Sequence, residues 1–266
     1  MNLSHKIEDL NKEASNNSGV RPDYMYKNIL DQKRYIDVLS CVHEKKVLDC
    51  ACGVGWGSYI MAKSGAAHVT GVDLSKVAIS TAKKYYNYDS VLYIQDDIGN
   101  LPNQKKFDIL TSFETIEHVE DPVGFLKILA NLSHKETVFF LSTPNGFCFK
   151  NKGDSPYNPY HNEEYTKEEL YNLFSLSGWF VVEYKGQHLM KENTQEIVEY
   201  RSFIRRFWQD KARSDRFGIT YTLLGKIIRR VLGNAISDPA HKRDCTPAKV
   251  CKGYQPAYHY FKLKLK

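Results

Sequence analysis

The residues most able to do chemistry form a glycine-rich turn after a short apolar stretch. Residues 47–57 read VLDCACGVGWG, in which Asp49 ends the apolar stretch and Gly53, Gly55 and Gly57 follow. Glycine tolerates positive φ and lets a ligand approach the backbone closely. A strand, an acid and a glycine turn that opens a helix are typical of a loop that binds a nucleotide-derived cofactor.

A second acid narrows the kind of cofactor. Asp73 ends the next apolar stretch, residues 68–73, where its carboxylate could accept hydrogen bonds from a ribose diol. A dinucleotide loop of the GxGxxG type starting at Gly53 would require glycine at position 58, where the chain has Ser58. A phosphate-free, positively charged cofactor therefore fits better than a dinucleotide.

Further along the chain, acids and imidazoles could perform acid–base chemistry or hold a metal ion. Glu114, Glu117 and His118 share one face if their segment turns helically. His161 lies in a Pro/Asn-rich loop that we expect to cross the same sheet edge. Two carboxylates and two imidazoles suit a divalent cation, whereas solvated acids and packed histidines are the alternative.

Together these motifs resemble the class I S-adenosylmethionine-dependent methyltransferases, over about residues 45–185. The resemblance implies that the first acid and the glycine turn hold the amino-acid end of the cofactor and that the second acid holds the ribose. Ala51 departs from the pattern, because that family usually has its first glycine there. The cofactor-binding residues predicted in this way are Arg34, Asp49, Gly53, Gly55, Asp73, Leu74, Asp97, Ile98 and Phe113.

The acids and imidazoles resemble two groups within that class. One comprises metal-dependent 2'-O-methyltransferases of small-RNA ends, and the other comprises bacterial small-molecule and sugar O-methyltransferases, including ubiquinone-pathway enzymes. The resemblance implies a metal shell of Glu114, Glu117, His118 and His161, with Mg²⁺ or Mn²⁺ favoured by hard oxygen donors and zinc as an alternative. His118 and Glu114 are the predicted catalytic residues.

These observations predict an S-adenosylmethionine-dependent O-methyltransferase that acts on a hydroxyl of a sugar or related small metabolite, with or without a divalent metal. A hydroxyl is a poor nucleophile until it is deprotonated, and an imidazole or a bound cation lowers that barrier. The alternatives are a 2'-O-methyltransferase of RNA ends and a protein that binds the cofactor without catalysis.

The elements that must position these residues alternate between strands and helices. Such alternation predicts an α/β fold with a doubly wound, mostly parallel seven-stranded, Rossmann-like sheet. We expect strands near 46–50, 68–73, 91–95, 107–113 and 137–142, and helices near 58–64, 75–86, 122–132 and 167–177. Thr166 and Glu169 predict a capping box at the last helix, and strands at 179–184 and 259–265 complete the sheet.

The predicted organisation has four parts. They are an N-terminal tail and lead-in helix at 1–44, a methyltransferase core at 45–186, a helical cap insertion at 187–256 and a final core strand at 257–266. Two apolar patterns at helical spacing support the cap, at 197–208 and at 223–231. Nine Lys/Arg residues between 201 and 232 could meet an acidic acceptor, RNA phosphates or an acidic membrane surface, or could simply be a solvated face.

Composition agrees with one principal domain. The chain has 266 residues, 42% of them hydrophobic, and a net charge of +6, which is too modest to identify a partner. No apolar run approaches the roughly 20 residues of a membrane span, and residues 1–19 are polar, so we expect a cytoplasmic protein. Six cysteines without a CxxC pair predict reduced thiols.

Overall fold

The computed structural model of the protein describes residues 29–104, 106–149, 156–216 and 246–266, which form a seven-stranded sheet flanked by helices. The strands are β1 Lys46–Cys50, β2 His68–Asp73, β3 Val91–Gln95, β4 Phe107–Phe113, β5 Ser133–Pro144, β6 Trp179–Lys191 and β7 Tyr254–Leu265. The helices are α1 Ile29–Leu39, α2 Trp56–Lys63, α3 Lys76–Tyr85, α4 Pro122–Asn131, α5 Gly146–Phe149, α6 Lys167–Leu176 and α7 Gln195–Arg216.

The strand order confirms the predicted doubly wound sheet. It runs β3-β2-β1-β4-β5-β7-β6, so the chain builds one half outward from β1 and then returns to build the other. The first five strands are parallel, and β7 is antiparallel to both β5 and β6. The order in which the chain adds strands reverses between β1 and β4. Ligands bind at such a switch point, outside the carboxyl ends of the strands.

Apolar residues on the two faces of the sheet enter two separate cores. Val47 and Ile109 pack with residues of α1, α2 and α3, whereas their neighbours Leu48 and Leu110 pack with residues of α4 and α6. Successive side chains of a strand point to opposite faces, so these short strands are apolar at both alternating positions. The sheet is thereby buried on both sides, and its carboxyl edge is held rigidly.

Polar caps begin the helices that lead away from the site. The side chain of Ser75 accepts from the backbone N–H of Ala78 at the start of α3, and that of Asp121 accepts from Gly124 at the start of α4. The predicted capping box at α6 is confirmed, because Thr166 and Glu169 satisfy each other's backbone N–H groups. Caps of this kind typically contribute about 1 kcal/mol each.

The boundaries predicted for the cap are wrong. Strands β6 and β7 pair from Trp179↔Leu265 out to Lys191↔Tyr254, so both strands extend into the 187–256 segment. Long strands are favoured here because each residue added to one satisfies backbone groups of the other. The first predicted cap helix is confirmed as α7, and the second pattern, at 223–231, lies outside the described residues.

Helix α7 packs on the outer end of the hairpin that β6 and β7 form. Ile197, Tyr200 and Ile204 on its buried face contact a cluster that contains Phe149 of α5 and Met190 of β6. This third apolar cluster fixes α7 next to the segment that follows β5. Among the described residues, no helix is both long enough and apolar enough to cross a bilayer.

Candidate functional site

The first acid, Asp49, is buried beside the glycine turn and holds neighbouring elements by hydrogen bonds. Asp49 is 3% exposed, and its two carboxylate oxygens accept hydrogen bonds from Ser58 Oγ (2.7 Å) and Thr111 Oγ1 (2.8 Å). These bonds tie the start of α2 to β1 and β4. Burial raises the pKa of the Asp49 carboxyl to about 6, although both hydroxyl contacts lower it.

The glycines of the turn do different work. A Cβ at Gly53 would meet no atom of the described residues within 4 Å, so they leave space above the turn, and the φ of +54° at Gly53 is one that other residues rarely adopt. At Gly55 a Cβ would lie 2.6 Å from Ala82 Cβ and 2.7 Å from the Tyr93 hydroxyl. Ala51, where the family pattern has glycine, also adopts a positive φ of 57°. The backbone at Ala51 therefore has the conformation that glycine would adopt there.

The second acid stands at the rim of the same open space. Asp73 Oδ2 accepts from the Gly53 N–H and Oδ1 accepts from the Ser75 N–H, each at 2.8 Å. Each oxygen retains a further lone pair for a ribose hydroxyl. A cofactor with a ribose therefore fits this turn.

Three more predicted cofactor-binding residues lie beyond β2 and β3, and the resemblance assigns two of them, Asp97 and Ile98, to adenine. Leu74 is 69% exposed directly after Asp73, and Asp97 is exposed at the end of a loop that follows β3. The Asp97 carboxylate caps a short 3₁₀ turn by accepting from the Gly99 N–H at 2.7 Å. Ile98 packs against the core on its inner side. Contact of these residues with adenine stays a prediction.

Arg34 is not an exposed surface residue. Its side chain is 1% exposed and donates from Nε to Gln187 Oε1 (2.7 Å), while Nη2 lies 3.2 Å from Glu114 Oε1. Its guanidinium also lies 5.0 Å from the ring centre of Tyr258. Arg34 thus joins α1 to the end of β4 and to the β6/β7 hairpin. Binding of the cofactor carboxylate by Arg34 stays a prediction, as does cofactor contact by Phe113, which packs edge-on against Tyr35 in the same region.

The prediction that Glu114 belongs to a metal shell is wrong. Besides Arg34, its Oε1 accepts from Ser142 Oγ at 3.0 Å. Glu114 has a positive φ of 53°, and only residues Ile116–His118 form a 3₁₀ turn. The segment is therefore not one continuous helix, and helical spacing does not apply to its first acid. The ion pair with Arg34 also makes Glu114 a poor proton acceptor, and its predicted catalytic role stays a prediction.

The other three predicted ligands do meet. Glu117, His118 and His161 each offer a ligand atom, and these atoms lie within 4.8 Å of one another. The two imidazole rings meet edge to face with centres 4.7 Å apart. This group, here called the Glu–His–His cluster, follows β4 at the carboxyl edge that also carries the glycine turn.

Glu117 is the deepest member of the cluster. It is fully buried; Oε2 accepts from Thr143 Oγ1 at 2.9 Å, and Oε1 has no hydrogen-bond partner among the described residues. Burial, with a contribution from the Glu114 charge, raises the pKa of the Glu117 carboxyl well above its usual range. A proton or a cation at Oε1 would resolve this unpartnered atom, so the donor set fits a divalent cation.

Both imidazoles are held in the neutral form. The Nδ1 atom of His118 donates to the carbonyl oxygen of Tyr160 at 2.8 Å, which leaves Nε2 as the basic nitrogen. Burial lowers the pKa of His118, and it lowers the pKa of His161 to about 4. A neutral imidazole can accept a proton or bind a metal ion.

Sequence reasoning missed the contacts that bring the His161 loop to β4. The backbone N–H groups of Asn162 and Glu163 donate to the Glu117 carbonyl oxygen at 2.7 and 3.2 Å. The Asn162 side chain donates to the carbonyl oxygen of His118 at 2.8 Å. An asparagine directly after the loop histidine was the only available signal, and asparagine is common in loops for other reasons.

The fold and the site together define a class. A sheet of order 3-2-1-4-5-7-6 with an antiparallel seventh strand, and a glycine turn flanked by two acids at its switch point, are those of a class I methyltransferase. The family comparison agrees: residues 42–202 match the model of the methyltransferase domain family, and the chain belongs to that family.

Individual relatives are similar to parts of this chain. A ubiquinone biosynthesis O-methyltransferase of Neisseria meningitidis is 33% identical over 117 residues, which are 42% of this chain and 49% of that protein. The chain thus spans about half the length of the curated relatives it matches.

Solved structures show the same fold at low sequence identity. An S-adenosylmethionine-dependent methyltransferase of Clostridium acetobutylicum superposes with a TM-score of 0.56 at 14% identity, over 91% of this chain and 97% of that one. Another, from Thiobacillus denitrificans in complex with S-adenosyl-L-homocysteine, gives 0.50 at 15% identity, over 88% and 91%. These structures confirm the predicted fold class.

Proposed function

We propose that this protein transfers a methyl group from S-adenosylmethionine to a hydroxyl oxygen of a sugar or related small metabolite. The observation that carries the proposal is the Glu–His–His cluster, with its neutral imidazoles at the sheet edge that bears the glycine turn. A relative named as an O-methyltransferase supports oxygen as the acceptor atom.

The cofactor supplies an electrophilic methyl group on a sulfonium, and this chain supplies its binding site. Gly53 leaves room for the cofactor above the turn, and Asp73 would accept from its ribose hydroxyls. The buried carboxyl of Asp49 contributes negative potential beneath the positively charged cofactor whenever it is ionised.

His118 is the proposed general base. Its Nδ1 proton is committed to the Tyr160 carbonyl oxygen, so Nε2 can take the proton of an acceptor hydroxyl as that oxygen attacks the methyl group. The lowered pKa of His118 keeps this nitrogen unprotonated at neutral pH. Glu117 lies beside it and can stabilise the imidazolium that forms.

A divalent cation is the alternative to this general base. Glu117, His118 and His161 would hold it, with Nε2 of His118 as a ligand instead of a base, and Mg²⁺ or Mn²⁺ would lower the pKa of a bound hydroxyl. The unpartnered Oε1 atom of Glu117 favours such an ion. Exhaustive chelation followed by Mn²⁺ addition tests it: unchanged activity after chelation would leave the imidazole mechanism alone.

Methylation of RNA ends is the second candidate. It is favoured by the clustering of Glu117, His118 and His161, which the resemblance to the small-RNA enzymes implied as metal ligands. Helix α7 carries Arg201, Arg205 and Arg206, which could meet phosphates or an acidic sugar. Arg201 lies over the Phe147 ring, 4.7 Å from its centre, just after β5. We favour the small metabolite because the described chain forms one compact enzyme core with a cap.

A transfer assay with labelled S-adenosylmethionine separates the candidates. The acceptors are nucleotide sugars, glycans, quinone precursors and short RNAs, and we expect preferential labelling of a sugar. Preferential labelling of RNA, weakening steeply with salt, would replace the sugar proposal. Binding of the cofactor without turnover on any acceptor would favour the non-catalytic alternative.

His118→Asn supplies the matched test of mechanism. It should reduce kcat by about 10²–10⁴-fold, because a general base contributes about that much. His134→Asn is the control, since His134 begins β5 and pairs with Asp108, away from the carboxyl edge. Full activity of His118→Asn would refute the assigned base.

A further inference from the structure

A buried acid contacts the cluster without a part in the reaction proposed above. Glu164 is fully buried, and its Oε1 lies 2.8 Å from Nδ1 of His161. A carboxyl group on the far nitrogen of an imidazole is the arrangement that orients histidines in metal and catalytic sites. The contact alone leaves open which ring nitrogen carries the proton.

The contact of Asn158 with the ring shows where the proton lies. Its Oδ1 accepts the backbone N–H of Tyr160 at 3.1 Å, so its Nδ2 is the atom that faces Nε2 of His161, at 2.6 Å. An amide nitrogen donates and does not accept, so Nε2 must be unprotonated. The neutral ring therefore carries its proton on Nδ1 and donates it to Glu164.

The loop backbone holds Glu164 in place. Gly146, the first residue of α5, donates its N–H to the Tyr165 carbonyl oxygen at 2.9 Å. A Cβ at Gly146 would lie 2.2 Å from the Glu164 carbonyl oxygen, so only glycine permits this approach. Glu164 is thus fixed to the end of β5, next to the strand that leads to the rest of the cluster.

We propose that Glu164 is a positioning residue that fixes His161 with its proton on Nδ1 and its lone pair on Nε2. The Asn158 amide donates to that lone pair until an acceptor hydroxyl or a cation takes its place. The use of the lone pair rests on the proposed function, whereas the position of the proton does not.

The experiment is ¹⁵N NMR of the full chain labelled at its nine histidines, with His161 assigned from a His161→Gln variant. Protonated and unprotonated ring nitrogens have well-separated ¹⁵N resonances. The wild-type protein should show a protonated Nδ1 and an unprotonated Nε2 at His161. His118, whose Nδ1 donates to a carbonyl oxygen, provides an internal reference with the same tautomer.

Variants test whether Glu164 selects this state. Glu164→Leu removes the acceptor and should reduce the preference for the Nδ1 proton about tenfold, moving the two His161 resonances toward each other. Glu164→Gln should restore the wild-type pattern, because its amide oxygen accepts the same proton. Glu168→Gln, an exposed site on α6, makes the equivalent charge change as a control and should alter nothing.

Two results would overturn the proposal. One is a wild-type His161 protonated on Nε2, which needs no variant and so does not depend on how well Glu164→Leu folds. The other is a Glu164→Leu protein with a lower melting temperature and unchanged His161 resonances. That result would show that Glu164 stabilises the fold without positioning His161. Neither measurement needs an acceptor, so failure here leaves methyl transfer standing, and absence of turnover leaves the spectrum informative.

Discussion

The buried acid beneath the glycine turn should make the protein less stable at neutral pH. Asp49 has its pKa raised from 3.8 to about 6 by burial. Between these values the native state binds more protons at this site than the unfolded chain does, so the contribution of Asp49 to stability falls as pH rises through that window. At about 1.4 kcal/mol per pKa unit, the loss is about 3 kcal/mol once both states are ionised.

Asp49→Asn removes this charge and keeps the size of the side chain. One of the hydroxyls of Ser58 and Thr111 can rotate to accept from the new amide nitrogen while the other still donates to the amide oxygen, so we expect the variant to gain up to about 3 kcal/mol over wild type above pH 6. The gain should disappear toward pH 4. Binding of S-adenosylhomocysteine, used as the probe, should weaken, because the amide supports the turn without its negative charge.

Urea unfolding of both proteins from pH 4 to pH 7.5 measures the difference directly. Comparing the two at each pH cancels the other titrating groups, and Asp97→Asn, at an exposed loop position, is the control with the same chemical change. A difference that does not vary with pH would refute the reasoning, as would an Asp49→Asn protein that is less stable than wild type at pH 7.5.

Three further substitutions test contacts around the site. Arg34→Leu should lower the free energy of unfolding by about 3 kcal/mol, because it leaves the Glu114 carboxylate without its buried partner. Urea unfolding should show a much smaller loss in the double variant that also carries Glu114→Leu. Thr143→Val removes the hydrogen bond to Glu117 and should lower unfolding free energy by about 1–3 kcal/mol, with unchanged stability contradicting the contact. Gly146→Ala should lower the free energy of unfolding by about 1–3 kcal/mol and thereby the melting temperature. An unchanged melting temperature would show that the close approach of the loop is not needed.

Local patterns along the chain were enough to predict the sheet. Apolar strands buried on both faces, glycine at the cofactor turn and capping residues such as Thr166 all act within a few residues of one another. The existence of the last strand also followed from local pattern, since residues 259–265 alternate as a strand does, whereas its antiparallel direction did not. Its full length did not, because pairing with β6 extends both strands beyond their alternating segments.

The sequence by itself determined which residues reach the carboxyl edge of the sheet, because in a parallel sheet the end of every strand leads there. It therefore identified Asp49, Asp73, Glu117, His118 and His161 as neighbours of one site. Only the tertiary structure decided which partners each side chain takes.

Arg34 and Glu114 show the difference most clearly. They are far apart in the chain, one on the lead-in helix and one after β4, and they meet because α1 packs beside the end of that strand. Glu164 lies three residues from His161, and the loop that carries both is held by backbone contacts to Glu117 and Gly146. Such pairings depend on the path of the backbone through space, and residue spacing along one segment does not carry that information.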